Sequence, residues 1–228
     1  MKTTLLRVKW LVYLLGILSI SLIFMVKGMA TSQSNILVSA AEQGNLYQVQ
    51  TLIEQGANIE QRDLRQRTPL MAATHENRVD VARYLIEHGA DVNAKDNMQD
   101  SPYLYAGARG LQDILLLTLK NGADLNSTNR YGGTALIPAS ERGHIETVKT
   151  LIDAGVDVNH INRLGWTALI EAIILGDGSD KYVQIVTLLI EGGADVNLAD
   201  GSGISPLTLA KSKGYRNLIE ILEKAGAK

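Results

Sequence analysis

Two short apolar segments alternate with polar turns along most of the chain, and residues 68–89 show the pattern clearly. The first segment, residues 68–76, opens with Thr68 and Pro69, and the second covers residues 79–88 and is followed by Gly89. Thr is a favourable helix N-cap, and Pro in the first turn sacrifices no intrahelical hydrogen bond. Gly readily adopts the left-handed conformation that commonly ends a helix. The pattern therefore predicts an inner and an outer helix, closed by Gly89 and a tight turn rich in Asp and Asn.

This unit recurs at a regular interval along the chain. Glycines mark the end of each copy at Gly56, Gly89, Gly122, Gly155, Gly193 and Gly226, and the intervals are equal except for the fourth, which is longer by five. At the same distance after each of the first five comes a helix start: Thr68-Pro69-Leu70, Ser101-Pro102-Tyr103, Thr134-Ala135-Leu136, Thr167-Ala168-Leu169 and Ser205-Pro206-Leu207. Five phased copies of two separate motifs do not arise by chance. The chain is therefore a repeat protein with one five-residue insertion.

These motifs resemble those of the ankyrin repeat family across essentially all of residues 35–228. The resemblance implies an all-α ankyrin-repeat solenoid of six helix-turn-helix repeats. We place the repeats at about 35–62, 63–95, 96–128, 129–161, 162–199 and 200–228. Two short helices cannot bury both of their apolar faces alone, so each repeat must gain its stability by stacking on its neighbours. Polar residues on the outward faces of the first and last repeats, such as Ser39 and Glu223, are typical of caps.

The N-terminal region has the charge pattern of an export signal. Residues 10–26 are seventeen consecutive uncharged and mostly apolar residues, with three basic residues before them and Lys27 after them. Basic residues stay on the cytoplasmic side, so the chain beyond this segment should cross the membrane. Residues 1–30 are therefore either a signal peptide cleaved after Ala30 or a retained signal anchor, since seventeen residues approach the length of a spanning helix. Residues 31–34 form a short linker to the solenoid.

Charge and composition restrict the classes of molecule that the chain can bind and the kinds of site that it can contain. Every charged residue among the first thirty is basic, and residues 31–228 carry 18 Lys and Arg against 24 Asp and Glu, a net charge of −6. An acidic body without a long basic run has little attraction for phosphate backbones, so we expect no nucleic-acid binding. The absence of Cys excludes disulfides and Cys-ligated zinc. The body has few aromatic residues, and a core built almost wholly from Ala, Leu, Ile and Val favours thin layers of stacked helices.

The array departs most from its own pattern in the fourth and fifth repeats. Pro138 stands at the fourth position of an inner helix, where it removes the first intrahelical hydrogen bond, and Gly132-Gly133 precede it. The insertion Asp177–Lys181 falls between the two helices of the fifth repeat, and we expect it to lengthen that loop. Ile174 and Leu175, just before it, occupy positions that are more polar in earlier copies. Either the insertion folds over these two residues, or they form an exposed patch for a partner.

The resemblance implies a concave face, formed by loop tips and inner helices, that binds another protein. The residues expected to project there are Arg65, Arg67, Tyr105, Arg109, Arg130, Tyr131, Glu141, Arg142, Arg163 and Trp166, with Asp177 and Asp180 from the insertion. Arg, Tyr and Trp are the side chains enriched at binding hot spots. Since the tips of neighbouring repeats lie side by side, we expect the members from repeats four and five to form one contiguous patch with the insertion. The alternative for Trp166 is packing across the neighbouring hairpin.

Motifs for catalysis and for cofactors are scarce. The chain has no Gly-x-Ser-x-Gly elbow, no phosphate-binding Gly-rich loop, no His-Glu-x-x-His helix and no Cys nucleophile. His144 and Glu146 could suggest a metal pair, but His144 follows Gly143 where an outer helix should begin, and two ligands do not make a site. Glu171 is a carboxylate without a paired acid or His nearby in sequence. We therefore expect a non-enzyme without a cofactor or a metal.

The sequence thus predicts a non-catalytic, monomeric interaction module in the periplasm or at the outer face of the cytoplasmic membrane, anchored through residues 10–26 if they are not cleaved. The export signal, the compact single domain and the run from Asn159 to Asp177 look similar to exported bacterial ankyrin-repeat proteins. Some members of that group support catalase-dependent peroxide defence, which the resemblance implies here. An alternative is a periplasmic immunity-type inhibitor that occludes a toxin, and a distant third is an enzyme with an unrecognised site.

Overall fold

The computed structural model describes residues 36–228, in which six consecutive helix pairs and no strand are found. The predicted export segment and linker, residues 1–34, lie outside the described residues. In chain order the helices are α1 (36–43), α2 (Leu46–Glu54), α3 (Pro69–His75), α4 (Val79–Glu87), α5 (Pro102–Arg109), α6 (Gln112–Lys120), α7 (Leu136–Glu141), α8 (Ile145–Asp153), α9 (Ala168–Ile174), α10 (Asp180–Glu191), α11 (Pro206–Lys213) and α12 (Arg216–Lys224). None of the helices described here is long and apolar enough to cross a membrane.

The inner helices begin at the caps that the sequence predicts. The Thr68 hydroxyl accepts a hydrogen bond from the Met71 amide at 3.1 Å, and Ser101, Thr167 and Ser205 make the same bond in their own repeats. The outer helices end at glycines in the left-handed conformation, as at Gly89 with a φ of 89°. Both predicted helix boundaries are confirmed to within a residue or two, because each depends on chemistry within one turn of the chain.

The helices stack in two layers, with each inner helix against the next inner helix and each outer helix against the next outer helix. An alanine occupies the same position in every inner helix, and all six are buried: Ala40, Ala73, Ala106, Ala139, Ala172 and Ala210. A methyl group at this position lets neighbouring inner helices approach closely. Leucine, isoleucine and valine fill the space between the layers, so the core is thin and continuous along the array.

The loops that precede the inner helices project as five short turns, which we call fingers: residues 63–67, 96–100, 129–133, 162–166 and 200–204. An Asp or Asn at the first position of each finger accepts hydrogen bonds from two backbone amides further along it. In the fourth finger, Asn162 Oδ1 accepts from the Leu164 and Trp166 amides at 2.9 and 3.1 Å. This recurring turn gives every finger the same shape and aims equivalent side chains in the same direction.

Neighbouring repeats are also joined by hydrogen bonds outside the core. Asn93 Nδ2 donates to the Gly122 carbonyl at 2.9 Å, and Asn93 Oδ1 accepts from the Asp124 amide at 2.8 Å. Asn159 and Asn197 make the same pair of bonds to the repeats that follow them. Between fingers, the Arg163 amide donates to the Tyr131 carbonyl at 3.0 Å. These contacts hold the fingers at fixed positions relative to one another.

The insertion does more than lengthen a loop, which corrects the sequence-based expectation. Asp180 and Lys181 form the first turn of α10, which has 12 residues where the other outer helices have nine. The Tyr182 hydroxyl donates to the Glu141 carbonyl of the fourth repeat at 2.7 Å, and the Tyr215 hydroxyl of the sixth donates to the Gly176 carbonyl at 2.9 Å. The added turn is therefore tied to the repeats on both sides.

Pro138 changes the start of its helix, as the sequence predicts. α7 has only six residues and begins at Leu136, one residue later than α9 begins in its own repeat. The Thr134 hydroxyl is buried without a hydrogen-bond partner, whereas the equivalent Thr68 and Thr167 cap their helices. The proline lacks an amide hydrogen, so the backbone cannot form the first bond of the turn, and the cap is lost with it.

Candidate functional site

A groove of about 530 Å³ lies between the second, third and fourth fingers and the inner helices α5, α7 and α9. Its walls combine charged, aromatic and apolar side chains from three successive repeats. The lining residues are Asp100, Tyr105, Ala108, Arg109, Asn129, Arg130, Tyr131, Gly133, Ile137, Pro138, Glu141, Arg142, Asn162, Leu164, Trp166, Glu171 and Leu175. The groove is therefore located where the sequence analysis expects a protein-binding face.

The repeat register explains how distant residues come together in the groove. Tyr105, Pro138 and Glu171 occupy the same position in three adjacent inner helices, the fourth after the cap. One turn further along, Arg109, Arg142 and Leu175 share a second equivalent position. Because the inner helices stack in register, each set forms a row that crosses the groove. The floor thus changes from aromatic to apolar to acidic as it passes from one repeat to the next.

Arg109, Arg130 and Arg142 are exposed and each is held by a neutral partner. The Arg109 Nε donates to the Tyr105 hydroxyl at 3.2 Å, and its guanidinium lies 5.5 Å from the centre of the same ring. Arg142 donates to the Ala108 carbonyl. The Arg130 guanidinium lies over the Tyr131 ring at 4.7 Å. These contacts orient the guanidinium groups without neutralising their charge.

Glu171 is the most buried charged group of the groove, with 6% of its surface exposed. Its Oε1 accepts a hydrogen bond from Asn162 Nδ2 at 2.7 Å. Burial raises the pKa of the Glu171 carboxyl to about 7, and the nearby Glu141 carboxylate adds to this rise. Because the same Asn162 shapes the fourth finger through its Oδ1, Glu171 is connected by one side chain to the loop that carries Trp166.

The other two acids of the groove are less exposed than its arginines. Asp100 and Glu141 are half-buried, whereas the three arginines are exposed. Burial raises the pKa of the Asp100 carboxyl, and the neighbouring Asp96 carboxylate adds to the rise. The charge that the groove presents to solvent is therefore mainly positive.

Seven of the twelve residues predicted to form the binding face line the groove: Tyr105, Arg109, Arg130, Tyr131, Glu141, Arg142 and Trp166. Tyr131 is 55% exposed, and Trp166 is half-buried. Trp166 is therefore partly accessible from the groove. The groove brings together most of the predicted surface within a single depression.

Arg67 does not project as predicted. It is only 4% exposed, because Arg67 Nε donates to Asp63 Oδ2 and its Nη1 donates to Glu42 Oε1, both at 2.8 Å. This pair of bonds fixes the first finger to α1. Arg65 remains exposed, lies 3.6 Å from Glu42 and stands outside the groove. The prediction for Arg67 is wrong, because sequence spacing does not identify the carboxylates that hold this side chain in a buried position.

The expected contiguous patch is also smaller than predicted. Arg163 lies across the third finger, where its Nη1 donates to the Arg130 carbonyl at 2.8 Å, and it does not line the groove. Asp177 and Asp180 do not line it either. The groove stops at Leu175, which is 49% exposed, so the insertion does not cover that residue. Ile174 is half-buried and Leu175 is exposed, so neither of the two alternatives describes both residues.

The groove residues that were not predicted as part of the binding face include Asp100, Leu164 and Glu171. A signal was available for Glu171, because the equivalent positions in the other complete repeats hold Ala72, Tyr105, Pro138 and Leu209. A carboxylate at a position where the other repeats have uncharged residues indicates that the surroundings of this side chain differ from those in the other repeats. Leu164 had a weaker signal as an apolar residue at a finger tip, and it is 57% exposed.

A smaller depression of about 360 Å³ adjoins the groove along Tyr105, Arg109 and Arg142 and contains His75 and His144. The His75 ring stacks on Tyr105 at 4.1 Å between centres. Burial lowers the pKa of both histidines, so they are mainly neutral near pH 7. Across residues 36–228, no three His, Asp or Glu side chains are grouped closely enough to hold a metal ion.

Comparison with known proteins agrees with this architecture. The family model for ankyrin repeats, described as three copies, matches residues 8–96 and 103–200. The crystal structure of an ankyrin repeat domain from Acinetobacter baumannii AYE is 59% identical, with a TM-score of 0.83, over 84% of this chain and 98% of that one. The ankyrin repeat protein EF0377 is 43% identical, with a TM-score of 0.80, over 85% of this chain and 98% of that one.

More distant similarity extends to other ankyrin repeat proteins. The ankyrin repeat domain of Bcl-3, a member of the IkappaB protein family, is 29% identical with a TM-score of 0.76, over 85% of this chain and 86% of that one. The ankyrin repeat protein YahD of Escherichia coli K12 is 46% identical over 57 residues, which are 25% of this chain and 28% of that protein. The match thus spans little more than a quarter of the length of this curated relative. The phased repeats, the stacked helix pairs and the extent of these matches together show that the chain belongs to the ankyrin repeat family, whose domains are protein–protein interaction modules.

Proposed function

We propose that this chain is a non-catalytic binding protein that holds a segment of a partner protein in the concave groove. The observation that carries the proposal is the collection of exposed Arg and Tyr side chains and Trp166, from three successive repeats, in one depression of about 530 Å³. Arg, Tyr and Trp supply most of the binding energy at protein interfaces because they combine large apolar area with directed polar groups.

The rigidity of the groove supports the same proposal. Its third and fourth fingers are joined by a backbone hydrogen bond, and its arginines are already held by aromatic or carbonyl partners. A surface that is ordered before binding loses little conformational entropy when a partner arrives. The side-chain types and the rigidity together favour recognition over catalysis.

We propose further that the groove faces a compartment outside the cytoplasm, with the chain tethered through residues 10–26 or released after Ala30. The support comes from sequence: a basic N-terminus, an apolar run and an acidic body. A pair of reporters fused after Lys228 tests this location. We expect the reporter that works only in the periplasm to be active, and activity of the cytoplasmic reporter would refute the location.

The partner is best sought by comparative capture with the full-length chain. We expect one protein to be retained by the native chain and by Leu116→Ala, and to be lost with Trp166→Ala. Leu116 is a matched control because it is a 49% exposed apolar residue on the outer helix α6, away from the groove. A captured catalase would support the peroxide-defence role, whereas a captured toxin would support the immunity-type inhibitor. Retention of the same proteins by all three chains would contradict binding in the groove.

A further inference from the structure

The charges of the groove are arranged so that the cations reach solvent first. Arg109, Arg130 and Arg142 are exposed, whereas Asp100 and Glu141 are half-buried and Glu171 is buried beside Asn162. A partner entering the groove therefore meets guanidinium groups before it meets carboxylates. This local positive charge contrasts with the net charge of −6 on residues 31–228.

The three arginines are oriented but not neutralised. Among residues 36–228, the ion pairs within 4.0 Å involve Arg65, Arg67, His75 and Lys211, and none involves an arginine of the groove. Each groove arginine is held instead by a tyrosine or a backbone carbonyl, which leaves several N–H groups of the planar guanidinium available. A planar guanidinium with free N–H groups is suited to bidentate binding of a carboxylate.

Apolar side chains stand beside these cations at the finger tips. Met98, Tyr131 and Leu164 occupy the same position in the second, third and fourth fingers, and they are 48%, 55% and 57% exposed. The hydrogen bond from the Arg163 amide to the Tyr131 carbonyl keeps the third and fourth fingers adjacent. Tyr131 and Leu164 line the groove, whereas Met98 does not, so two neighbouring tips place apolar side chains beside the arginines. An exposed apolar pair beside a charged groove is typical of an interaction surface.

The spacing of the arginines follows from the register. Arg109 and Arg142 are equivalent residues of the neighbouring inner helices α5 and α7. Packed helix axes lie about 8–10 Å apart, which sets the separation of the two backbones. The Arg142 guanidinium reaches across this gap to the Ala108 carbonyl, so it lies against α5, the helix that carries Arg109. A partner can therefore engage both arginines with two closely spaced carboxylates.

We propose that the groove binds an acidic segment of its partner protein, with one carboxylate on Arg109, a second on Arg142 and an apolar side chain against Tyr131 and Leu164. This inference rests on the proposed function and names the chemistry of the partner. Charge complementarity selects the occupant: a basic segment would be repelled by the three exposed arginines, and a neutral one would leave their positive charge unpaired.

The test uses site-specific photo-crosslinking of the full-length chain in its native cell. A photoreactive benzoylphenylalanine replaces Tyr131, and the cross-linked peptide is sequenced by mass spectrometry. The same group at Leu116 provides the control for contacts outside the groove. We expect Tyr131 to capture a peptide with at least two Asp or Glu residues close to an apolar residue, and Leu116 not to capture it.

Charge-neutralising variants provide the second arm, using the cross-linked peptide as the binding probe. We expect Arg109→Gln and Arg142→Gln each to weaken binding about 3- to 10-fold, and the native affinity to fall when the salt concentration rises. Lys149→Gln is the matched control, because Lys149 is an exposed cation of the outer helix α8, and we expect a change of less than about twofold.

The outcomes separate this inference from the proposed function. A neutral or basic peptide at Tyr131, or a peptide from a second copy of this chain, would overturn the acidic-segment proposal but leave the groove as a binding site. Equal affinity of the arginine variants and Lys149→Gln would overturn it in the same way. Absence of any cross-link at Tyr131 would overturn both.

Discussion

At the residue scale, whether an arginine is exposed or buried depends more on the side chains around it than on its position in the repeat. Arg67 was predicted to project into solvent, but Asp63 and Glu42 hold it in a buried bridge. Arg142 was predicted by the same reasoning, and it does line the groove. Local spacing predicts which residues reach the concave face. Local spacing does not predict which of these residues bind a carboxylate of the preceding repeat, as Arg67 binds Glu42. That contact depends on how the two repeats pack.

Trp166 is the residue whose replacement should affect binding most. Truncating a central aromatic residue typically costs about 2–4 kcal/mol of binding, so we expect Trp166→Ala to weaken the native complex by roughly 30-fold or more. Calorimetry on the isolated complex measures the loss, and Leu116→Ala should stay within about twofold. Helical circular dichroism should remain unchanged. If Trp166→Ala unfolds the chain while the folded fraction binds normally, Trp166 is a packing residue instead.

The raised pKa of Glu171 predicts that the stability of the folded chain decreases as the pH rises. Its pKa is raised by burial to about 7 in the folded chain, whereas an exposed Glu titrates near 4.5. Between these two values the unfolded state loses its proton first, so stability falls as the pH rises and levels off above about 7. Each unit of difference corresponds to about 1.4 kcal/mol, which sets a penalty of up to about 3 kcal/mol at pH 8.

Glu171→Gln should remove that penalty, because an amide does not ionise and its oxygen can still accept from Asn162. We expect the free energy of unfolding to increase at pH 8 and to change little at pH 4, as measured by denaturant titration. Glu220→Gln, on the exposed face of α12, controls for loss of a carboxylate in general. Parallel pH profiles of the native chain and Glu171→Gln would show that Glu171 is not the titrating group.

At the element scale, the helices are the part of the fold that sequence predicts best. Thr68, Gly89 and their equivalents fix helix starts and ends through contacts within a few residues. The start of α10 was missed, although Ser179 followed by Asp180 is a usual helix start. The reason is that the anchor of the added turn is the Glu141 carbonyl, 41 residues before Tyr182 in sequence. Contacts between residues so far apart in the chain do not change the hydrophobic periodicity from which helices are predicted.

The turn before α10 gives a prediction about packing. A Cβ at Gly176 would overlap the Ala172 carbonyl oxygen and press on the Tyr182 ring. Gly214 offers a matched control, because it has a φ of 71° but nothing within 4 Å of an added Cβ. We expect Gly214→Ala to cost about 1 kcal/mol of stability from backbone strain and Gly176→Ala about 2–4 kcal/mol from overlap. Thermal unfolding measures both, and equal costs would contradict the packing described here.

At the scale of the whole molecule, each repeat gains its stability by stacking on its neighbours. The chain has no Cys, and residues 36–228 contain no cluster of three or more potential metal ligands. We therefore expect a chelator such as EDTA to leave both the helical circular dichroism and the melting temperature unchanged. A drop in either one on chelation, reversed by a divalent cation, would show that a metal contributes to stability.

At this scale, the sequence predicts where the groove lies but does not predict exactly which residues line it. Seven of the predicted residues line the groove because the regular repeat period sets their register. Asp100 and Glu171 were missed because burial, rather than register, gives them their character. Asp177 and Asp180 were included although the insertion turns into α10 and does not extend along the concave face. The repeat period predicts the positions of equivalent residues. Departures from the period, such as a buried carboxylate or an added helical turn, become apparent only in the packed structure.

The two tyrosine hydroxyl bonds around the insertion have a mechanical consequence. Tyr182 ties the fifth repeat to the fourth, and Tyr215 ties the sixth to the fifth. Each of these bonds adds to an asparagine bond that crosses the same junction, from Asn159 or from Asn197. Under a stretching force, each repeat that unfolds releases about 11 nm of extended chain. We expect Tyr182→Phe and Tyr215→Phe to lower the force at which the last three repeats release that length, as measured by single-molecule pulling.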